Sequence, residues 1–332
     1  MFQVIAMRNL SKFDEELSDT VKDIELRGYN TETFLTGEFA RKISTHEIRP
    51  LSVSNISDIY CPTRRDLYFY KGVNRLRDKQ QSTWGGKAGY IVERYIDLFK
   101  DRSIDMGHKY STLIQNSNDL HSSFLSEKEE DLRNIKSLEK SIGIKEGDTE
   151  WLLKLLNNYG RVALGINILH SLLKEENSLD MTHVQKMEIR PNTVQMGINS
   201  PATSDFIVPK FAIVGDIKTG VKFKPHFQLT CAGYALAYEN EKGENNNINW
   251  GIIYFFPTRN PSKYVRPLTF AQVYIFPIND NLRQWFLDVR DEAYNIISKK
   301  EPSDFPDEKE HCECCKFMEY CISQGLELSN HE

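Results

Sequence analysis

The feature that most restricts the fold is the alternation of strand-like and helix-like segments after Val184. Short runs rich in β-branched and aromatic residues, bounded by Pro, Gly or Asn, are typical of strands; here they are VQKMEIRP, VQMGIN, SDFIVP, FAIVGDIK, WGIIYFFP and TFAQVYIFP. Between them, KPHFQLTCAGYALAYE has apolar residues at helical spacing, and DNLRQWFLDVRDEAYNIISKK predicts a second helix. We therefore expect an α/β protein with a mixed or largely antiparallel sheet flanked by helices.

The remainder of the chain is predicted to be mostly helical. We expect an N-terminal helical region over residues 1–80, a core over 81–300 with a helical insertion at about 104–183, and a cysteine-rich C-terminal region over 301–332. In the first part of the core, TWGGKAGYIVERYIDLFKD predicts a helix with Tyr90 and Glu93 on one glycine-lined face.

Charge and hydropathy narrow the function classes only slightly. The formal net charge of −5 is not typical of a nucleic-acid-binding protein, although a local basic groove can coexist with an acidic surface elsewhere on the protein. No apolar run approaches the roughly 18 residues of a membrane span, and the N-terminus does not resemble a signal peptide. We expect a cytoplasmic protein with no membrane partner, in a compartment where disulfides are disfavoured.

The stretch FAIVGDIKTG places two charges in an apolar strand. Alternate strand residues share a face, so Asp216 and Lys218 point the same way. If Pro209-Lys210 forms the hairpin loop, Asp205 lies opposite Val214, one diagonal from Asp216 and about 7–8 Å away between Cα atoms. Two carboxylates on one face suit Mg²⁺ or Mn²⁺. The alternative is that D-x-K is an ordinary solvated strand end.

Cysteines crowd the C-terminus in HCECCKFMEYC. In a reducing compartment, such a crowd indicates a metal or cluster site before it indicates disulfides. The spacing Cys312-x2-Cys315-x5-Cys321 needs a fourth ligand, for which Cys61 is the natural candidate. A [4Fe–4S] cluster and a Zn²⁺ ion both remain open. Cys314 and His311 stay as alternative ligands. Cys231 lies alone on an apolar helix stripe and is predicted to be a buried hydrophobic residue.

Taken together, these segments resemble the RecB-like PD-(D/E)xK nucleases that carry an iron–sulfur cluster, and most closely the CRISPR-associated exonucleases of the Cas-four type, archaeal Csa subgroup. The resemblance is carried, in the family's order, by YCPTRRDLY, GGKAGYIVE, SDFIV, GDIKTG, HFQLTCAGYALAYE and CECCKFMEYC. It implies a restriction-endonuclease-like mixed sheet with a C-terminal iron–sulfur region.

The resemblance also implies roles for individual residues. The metal site would comprise Asp205, Asp216, Ile217 and Glu93, with Lys218 completing the D-x-K triplet. The helical Q…Y motif would place Gln228 and Tyr234 beside the DNA or the lysine, although their spacing is longer than usual. The cluster ligands would be Cys61, Cys312, Cys315 and Cys321. The chain departs from the family at Tyr90, where a His is frequent.

The activity implied is a metal-dependent DNA exonuclease that acts on single-stranded ends or overhangs and trims spacer precursors in CRISPR adaptation. Its partners would be DNA and the adaptation integrase proteins, and self-association is left open. Candidate phosphate contacts are Arg64, Arg65, Lys222 and Lys224, each with a solvated surface charge as the alternative. Base stacking is a candidate role for Tyr68 and Tyr90, but core packing is favoured for both. Two alternatives remain: a non-catalytic iron–sulfur DNA-binding subunit, and a zinc-stabilised binding protein in which D-x-K is incidental.

Overall fold

A computed structural model describes residues 34–71, 187–209, 212–220, 222–243, 246–257, 272–307, 309, 312 and 315–327. The predictions for Tyr90, Glu93, His311, Cys314 and the insertion at 104–183 lie outside the described residues.

Seven α-helices and six β-strands lie in the described part of the chain. The helices are α1 Gly37–Ser44, α2 Val53–Ser57, α3 Arg65–Lys71, α4 Thr193–Met196, α5 Gln228–Lys242, α6 Asp280–Ser298 and α7 Met318–Ser323. The strands are β1 Met187–Ile189, β2 Ala202–Ser204, β3 Phe206–Val208, β4 Ile213–Gly220, β5 Trp250–Pro257 and β6 Gln272–Pro277.

Four of these strands form the central sheet in the order β3-β4-β5-β6. The pairs β3–β4 and β5–β6 are antiparallel, whereas β4 and β5 run parallel. Parallel neighbours need a crossover, and α5 lies between these two in the chain. The prediction of an α/β protein with a mixed sheet is therefore confirmed. The specific PD-(D/E)xK fold stays an expectation.

One predicted strand is wrong. The segment VQMGIN contains α4 instead, because Asn192 caps its first turn by accepting a hydrogen bond from Gln195 N at 3.2 Å. Gly197 ends the helix at φ 65°, a left-handed conformation that favours glycine. Local capping therefore outweighed the β-rich composition of this segment.

The main core lies between one face of the sheet and the helices. That face presents Val214, Ile253 and Phe255, all buried, to α5. Apolar residues of α1 and α2 belong to the same buried cluster, so the described N-terminal helices share a core with the sheet. None of the helices in the described part of the chain combines the length and the apolarity needed to cross a lipid bilayer.

Helices α5 and α6 approach closely and are joined by a buried ion pair. A Cβ atom at Gly233 would lie 2.4 Å from the Phe286 ring, so only glycine permits this approach. Farther along, Arg283 Nη1 and Nη2 donate to the two Glu239 carboxylate oxygens at 2.5 and 2.7 Å. Each of these two side chains is 1% exposed. The position of α5 above the sheet is thus fixed at two points.

Candidate functional site

The β3–β4 hairpin has a different register from the one expected. Its pairs run from Phe206↔Gly215 to Val208↔Ile213, so each residue of β3 pairs two positions farther along β4 than expected. The expected Pro209-Lys210 turn is therefore wrong, as is the pairing of Asp205 with Val214. Continued by one residue, the observed register places Asp205 directly opposite Asp216.

Asp205 and Asp216 lie on the same face of the sheet. Directly opposed residues in an antiparallel pair share a face, and Ile207 and Val214 show that this is the buried face that packs on α5. The Asp205 carboxylate is held there because its Oδ2 accepts a hydrogen bond from the backbone N–H of Ile217 at 2.7 Å. The structure thus brings together three of the residues assigned to the metal site.

Lys218 completes this group with an ion pair. Its Nζ lies 2.6 Å from Asp216 Oδ2, and Asp216 is only 5% exposed. Burial by itself lowers the pKa of Lys218, but the Asp216 carboxylate, assisted by Asp205, reverses the effect and raises the pKa above its usual value. Lys218 therefore carries its positive charge at neutral pH. Apart from this ammonium group, no hydrogen-bond donor of the described residues satisfies Asp216 Oδ2.

The first turns of α5 cover this group. Cys231 is fully buried, as predicted, and burial followed by the nearby Asp216 carboxylate raises the pKa of its thiol, so it is an inert packing residue. Gln228 begins the helix and is partly buried, whereas Tyr234 is 8% exposed within the main core. The placement of Tyr234 agrees with a packing role.

Four residues near this group were not identified by the sequence analysis. The hydroxyl groups of Ser57 and Thr230 are 2.9 Å apart and join the end of α2 to α5. The next residue after Ser57 is Asp58, whose exposed carboxylate acts through its charge on Lys218 and His226. Burial, followed by the positive charge of Lys224, lowers the pKa of His226 to about 4. His226 is therefore neutral at pH 7. The only sequence signal was the position of each residue inside a motif segment.

The cations expected to contact DNA divide into two groups. Lys222 is exposed and Lys224 is partly buried, so both remain candidates. Arg64 is 3% exposed, and its two Nη atoms donate hydrogen bonds to the carbonyl oxygens of Ile56 and Asn55 at the end of α2. Arg65 is 7% exposed and is bound to the C-terminal segments.

This burial contradicts the phosphate contacts considered for Arg64 and Arg65, and it agrees with the packing role favoured for Tyr68. A phosphate contact requires a guanidinium group that reaches solvent, and those of Arg64 and Arg65 do not. Tyr68 is fully buried and donates a hydrogen bond to Lys300 O at 2.7 Å, so its ring is not available for base stacking.

The cysteines from both ends of the chain line one cavity. Its walls include Cys61, Cys312, Cys315 and Cys321, and none of these four forms a disulfide. Burial raises the pKa of Cys315 to about 11, with added repulsion from Asp66 and the neighbouring cysteines. Burial likewise raises the pKa of Cys321, against the opposing effect of Arg65.

The two candidate sites offer different donor sets. Sulfur ligands favour Zn²⁺ or iron–sulfur clusters, whereas carboxylates favour Mg²⁺ or Mn²⁺. Within the described residues, no group of three or more His, Cys, Asp or Glu side chains is gathered closely enough to hold a metal ion. The chemistry of both donor sets nevertheless fits the groups expected.

Part of the chain, including the strands and cysteines described above, is similar to a named protein family. The model of a family described as CRISPR-associated exonuclease Csa1 matches residues 166–324, which include Asp205, Asp216, Lys218 and the C-terminal cysteines. A curated protein of Saccharolobus solfataricus named CRISPR-associated exonuclease Csa1 is 31% identical over 118 residues. That match covers 35% of this chain and 36% of the relative's own length. No solved structure gave a significant match.

Proposed function

We propose that this chain is a divalent-metal-dependent DNA exonuclease that acts on single-stranded ends or overhangs, in the trimming of spacer precursors during CRISPR adaptation. The observation that carries the proposal is the convergence of Asp205, Asp216 and Lys218 on one buried sheet face. That convergence lies within the region similar to CRISPR-associated exonuclease Csa1.

Asp205 and Asp216 are the residues that would hold Mg²⁺ or Mn²⁺, and the proposal adds Glu93 and the Ile217 backbone. A divalent cation bound there would polarise the scissile phosphate and make a bound water more acidic. Because Asp205 is already held by the Ile217 N–H, its carboxylate would need little rearrangement to act as a ligand. This preorganisation suits a site that must bind a metal in one fixed place.

The side chains around the carboxylates would determine the charge of the site. Lys218, kept positive by Asp216 and Asp205, would orient an attacking water or offset charge that builds on the phosphate. Because its pKa is lowered to about 4, His226 would remain neutral at pH 7 and add no positive charge there. Exposed Lys222 would position the DNA backbone without reading its sequence.

The cysteine cavity is proposed as a [4Fe–4S] site formed by Cys61, Cys312, Cys315 and Cys321, with Zn²⁺ as the other candidate. A link from Cys61 to the C-terminal cysteines would close a long loop around the sheet. By analogy with disulfides, closing a loop of that size stabilises a fold by about 4–5 kcal/mol. We therefore assign this site a structural role. Anaerobically purified protein should be brown with an iron–sulfur cluster and colourless with zinc.

The decisive assay uses end-labelled single-stranded DNA, overhang duplexes and circular single-stranded DNA, with Mn²⁺ or Mg²⁺. We expect linear substrates to be shortened from an end, the circle to survive, and Asp216→Asn to abolish the reaction. The matched control is Asp288→Asn, because Asp288 is an exposed carboxylate on α6. Full activity of Asp216→Asn would overturn the proposal.

A second candidate function is a DNA-binding subunit without catalysis, acting beside integrase proteins. The observation that favours it is the short Lys218–Asp216 ion pair, which satisfies an oxygen that a metal would otherwise take. The same assay separates the two functions. A non-catalytic subunit would retain the labelled DNA in a binding experiment while leaving it intact with either metal.

A further inference from the structure

Arg65 lies in the wall of the cysteine cavity and not on the surface. It begins α3, only a few residues after Cys61, and lines the same cavity as the four cysteines. Its side chain is nine-tenths buried. A buried guanidinium group is costly to desolvate, so its presence there requires compensating partners.

Two oxygen acceptors and two aromatic rings hold the guanidinium group in place. Its Nη1 donates to the backbone carbonyl of Ser303, and its Nη2 donates to Gln324 Oε1 at 2.6 Å. The guanidinium carbon lies 4.2 Å from the centre of the Phe305 ring and 5.2 Å from that of Phe69. The planar group is therefore pinned between α3, the segment after α6, and the end of α7.

One donor of this fixed group has no oxygen partner. The Nε–H of Arg65 is buried and meets no hydrogen-bond acceptor of good geometry among the described residues. The guanidinium group nevertheless comes within interaction range of the Cys321 sulfur. Buried donors without acceptors are rare in native proteins, and each needs an explanation such as an absent ion. The cavity wall also contains the Asp66 carboxylate, but the cation that acts on that carboxylate is Arg64, so the acceptor left for Arg65 is cysteine sulfur.

We propose that Arg65 is a positioning residue of the cysteine site, where its fixed guanidinium group donates to Cys321 sulfur and offsets the negative charge of the thiolates that bind a metal. This inference rests on the proposed metal site at the cysteines and is independent of nuclease activity. Outer-shell partners of this kind orient metal ligands, and their loss typically weakens metal binding about 10–100-fold.

The test uses Co²⁺ as a probe of the full-length protein after its native metal has been removed. Thiolate ligands give Co²⁺ a charge-transfer absorption band, and competition with a chelator gives the affinity. We expect Arg65→Gln to bind Co²⁺ about 10–100-fold more weakly than the unmodified chain. The band should also move to lower energy, because a sulfur that loses a nearby cation and donor gives up its electrons more easily.

The control is Arg290→Gln, which removes another buried arginine, one bound to Met196 O in the main core. A general loss of packing could affect both variants, but it would not shift the absorption band. If Arg65→Gln does not fold, Arg65→Lys decides the question, because it keeps the charge but lacks the Nε–H and the planar fork. Because Arg65→Lys keeps the cation, it should show a smaller band shift and a smaller loss of affinity than the loss of the whole guanidinium group would give.

The outcomes separate the two proposals. If the unmodified chain shows no thiolate-to-Co²⁺ band and is also colourless after anaerobic purification, the metal site is wrong and the role of Arg65 is wrong with it. If the chain is brown but gives no Co²⁺ band, Arg65→Gln must lower its iron–sulfur content, and an unchanged content overturns the role of Arg65. If that band appears and the folded Arg65 variants match the unmodified chain in affinity and band position, the metal site stands and the inference about Arg65 is overturned.

Discussion

Replacing Glu239 by Gln tests how the buried ion pair fixes α5 above the candidate site. Arg283 donates to both Glu239 oxygens and also to the carbonyl oxygens of Ile248 and Ile278, at 2.8 and 3.2 Å. Glu239 Oε1 also accepts from Ile248 N at 2.9 Å. Glu239→Gln leaves the Arg283 cation buried without a counter-charge, which typically costs about 3–5 kcal/mol.

Urea unfolding monitored by circular dichroism measures this cost as a change in the free energy of unfolding. The matched comparison is a double-mutant cycle with Arg283→Met and the double variant Glu239→Gln/Arg283→Met. Since the double variant carries no buried charge, it should be less destabilised than the sum of the single variants. The carbonyls that lose Arg283 would still cost about 1–3 kcal/mol each. A loss below about 1 kcal/mol for Glu239→Gln, or strict additivity in the cycle, would refute the reasoning.

Three further predictions concern the surroundings of the site. Because the pKa of His226 is lowered to about 4, the unfolded chain binds more protons than the folded chain below pH 6.5, and stability should fall as the pH drops from about 6.5 to 4. His226→Gln should flatten that fall in pH-dependent denaturation, and an unchanged pH profile would contradict the lowered pKa of His226. Gly233→Ala should cost about 1–3 kcal/mol in thermal unfolding, since its methyl group would meet the Phe286 ring, whereas Gly243→Ala places a methyl in open space but at a φ of 87° and tests backbone strain alone. Lys222→Ala should weaken single-stranded DNA binding and reduce its salt slope by about 1, and an unchanged slope would remove Lys222 from the interface.

The candidate metal site shows how far strand periodicity carries a prediction. The side-chain alternation of β4 placed Asp216 and Lys218 on one face, and the structure agrees because that period is a local property of the backbone. The opposition of Asp205 to Asp216 could not be obtained in this way. It depends on the pairing register of β3 and β4, which the alternation of side chains within one strand does not determine.

The arginines after Cys61 show the limit of composition as a guide to function. Two adjacent cations in a polar segment favoured a DNA surface, yet both are buried. The partner of Arg65 at Ser303 lies 238 residues along the chain, so no local pattern could have identified it. A cation next to a cysteine motif can interact with the cysteine site as readily as it can interact with a DNA phosphate.

The amino-acid sequence alone determined the alternation of strands and helices, the shared face of the D-x-K charges and the crowding of cysteines at the C-terminus. These properties follow from spacing and side-chain chemistry within a few residues. The tertiary structure alone decided that Asp205 opposes Asp216, that Cys61 shares a cavity with the C-terminal cysteines, and that Arg65 faces that cavity. Register, burial and convergence depend on which distant segments pack together, and that is settled by the free energy of the whole fold.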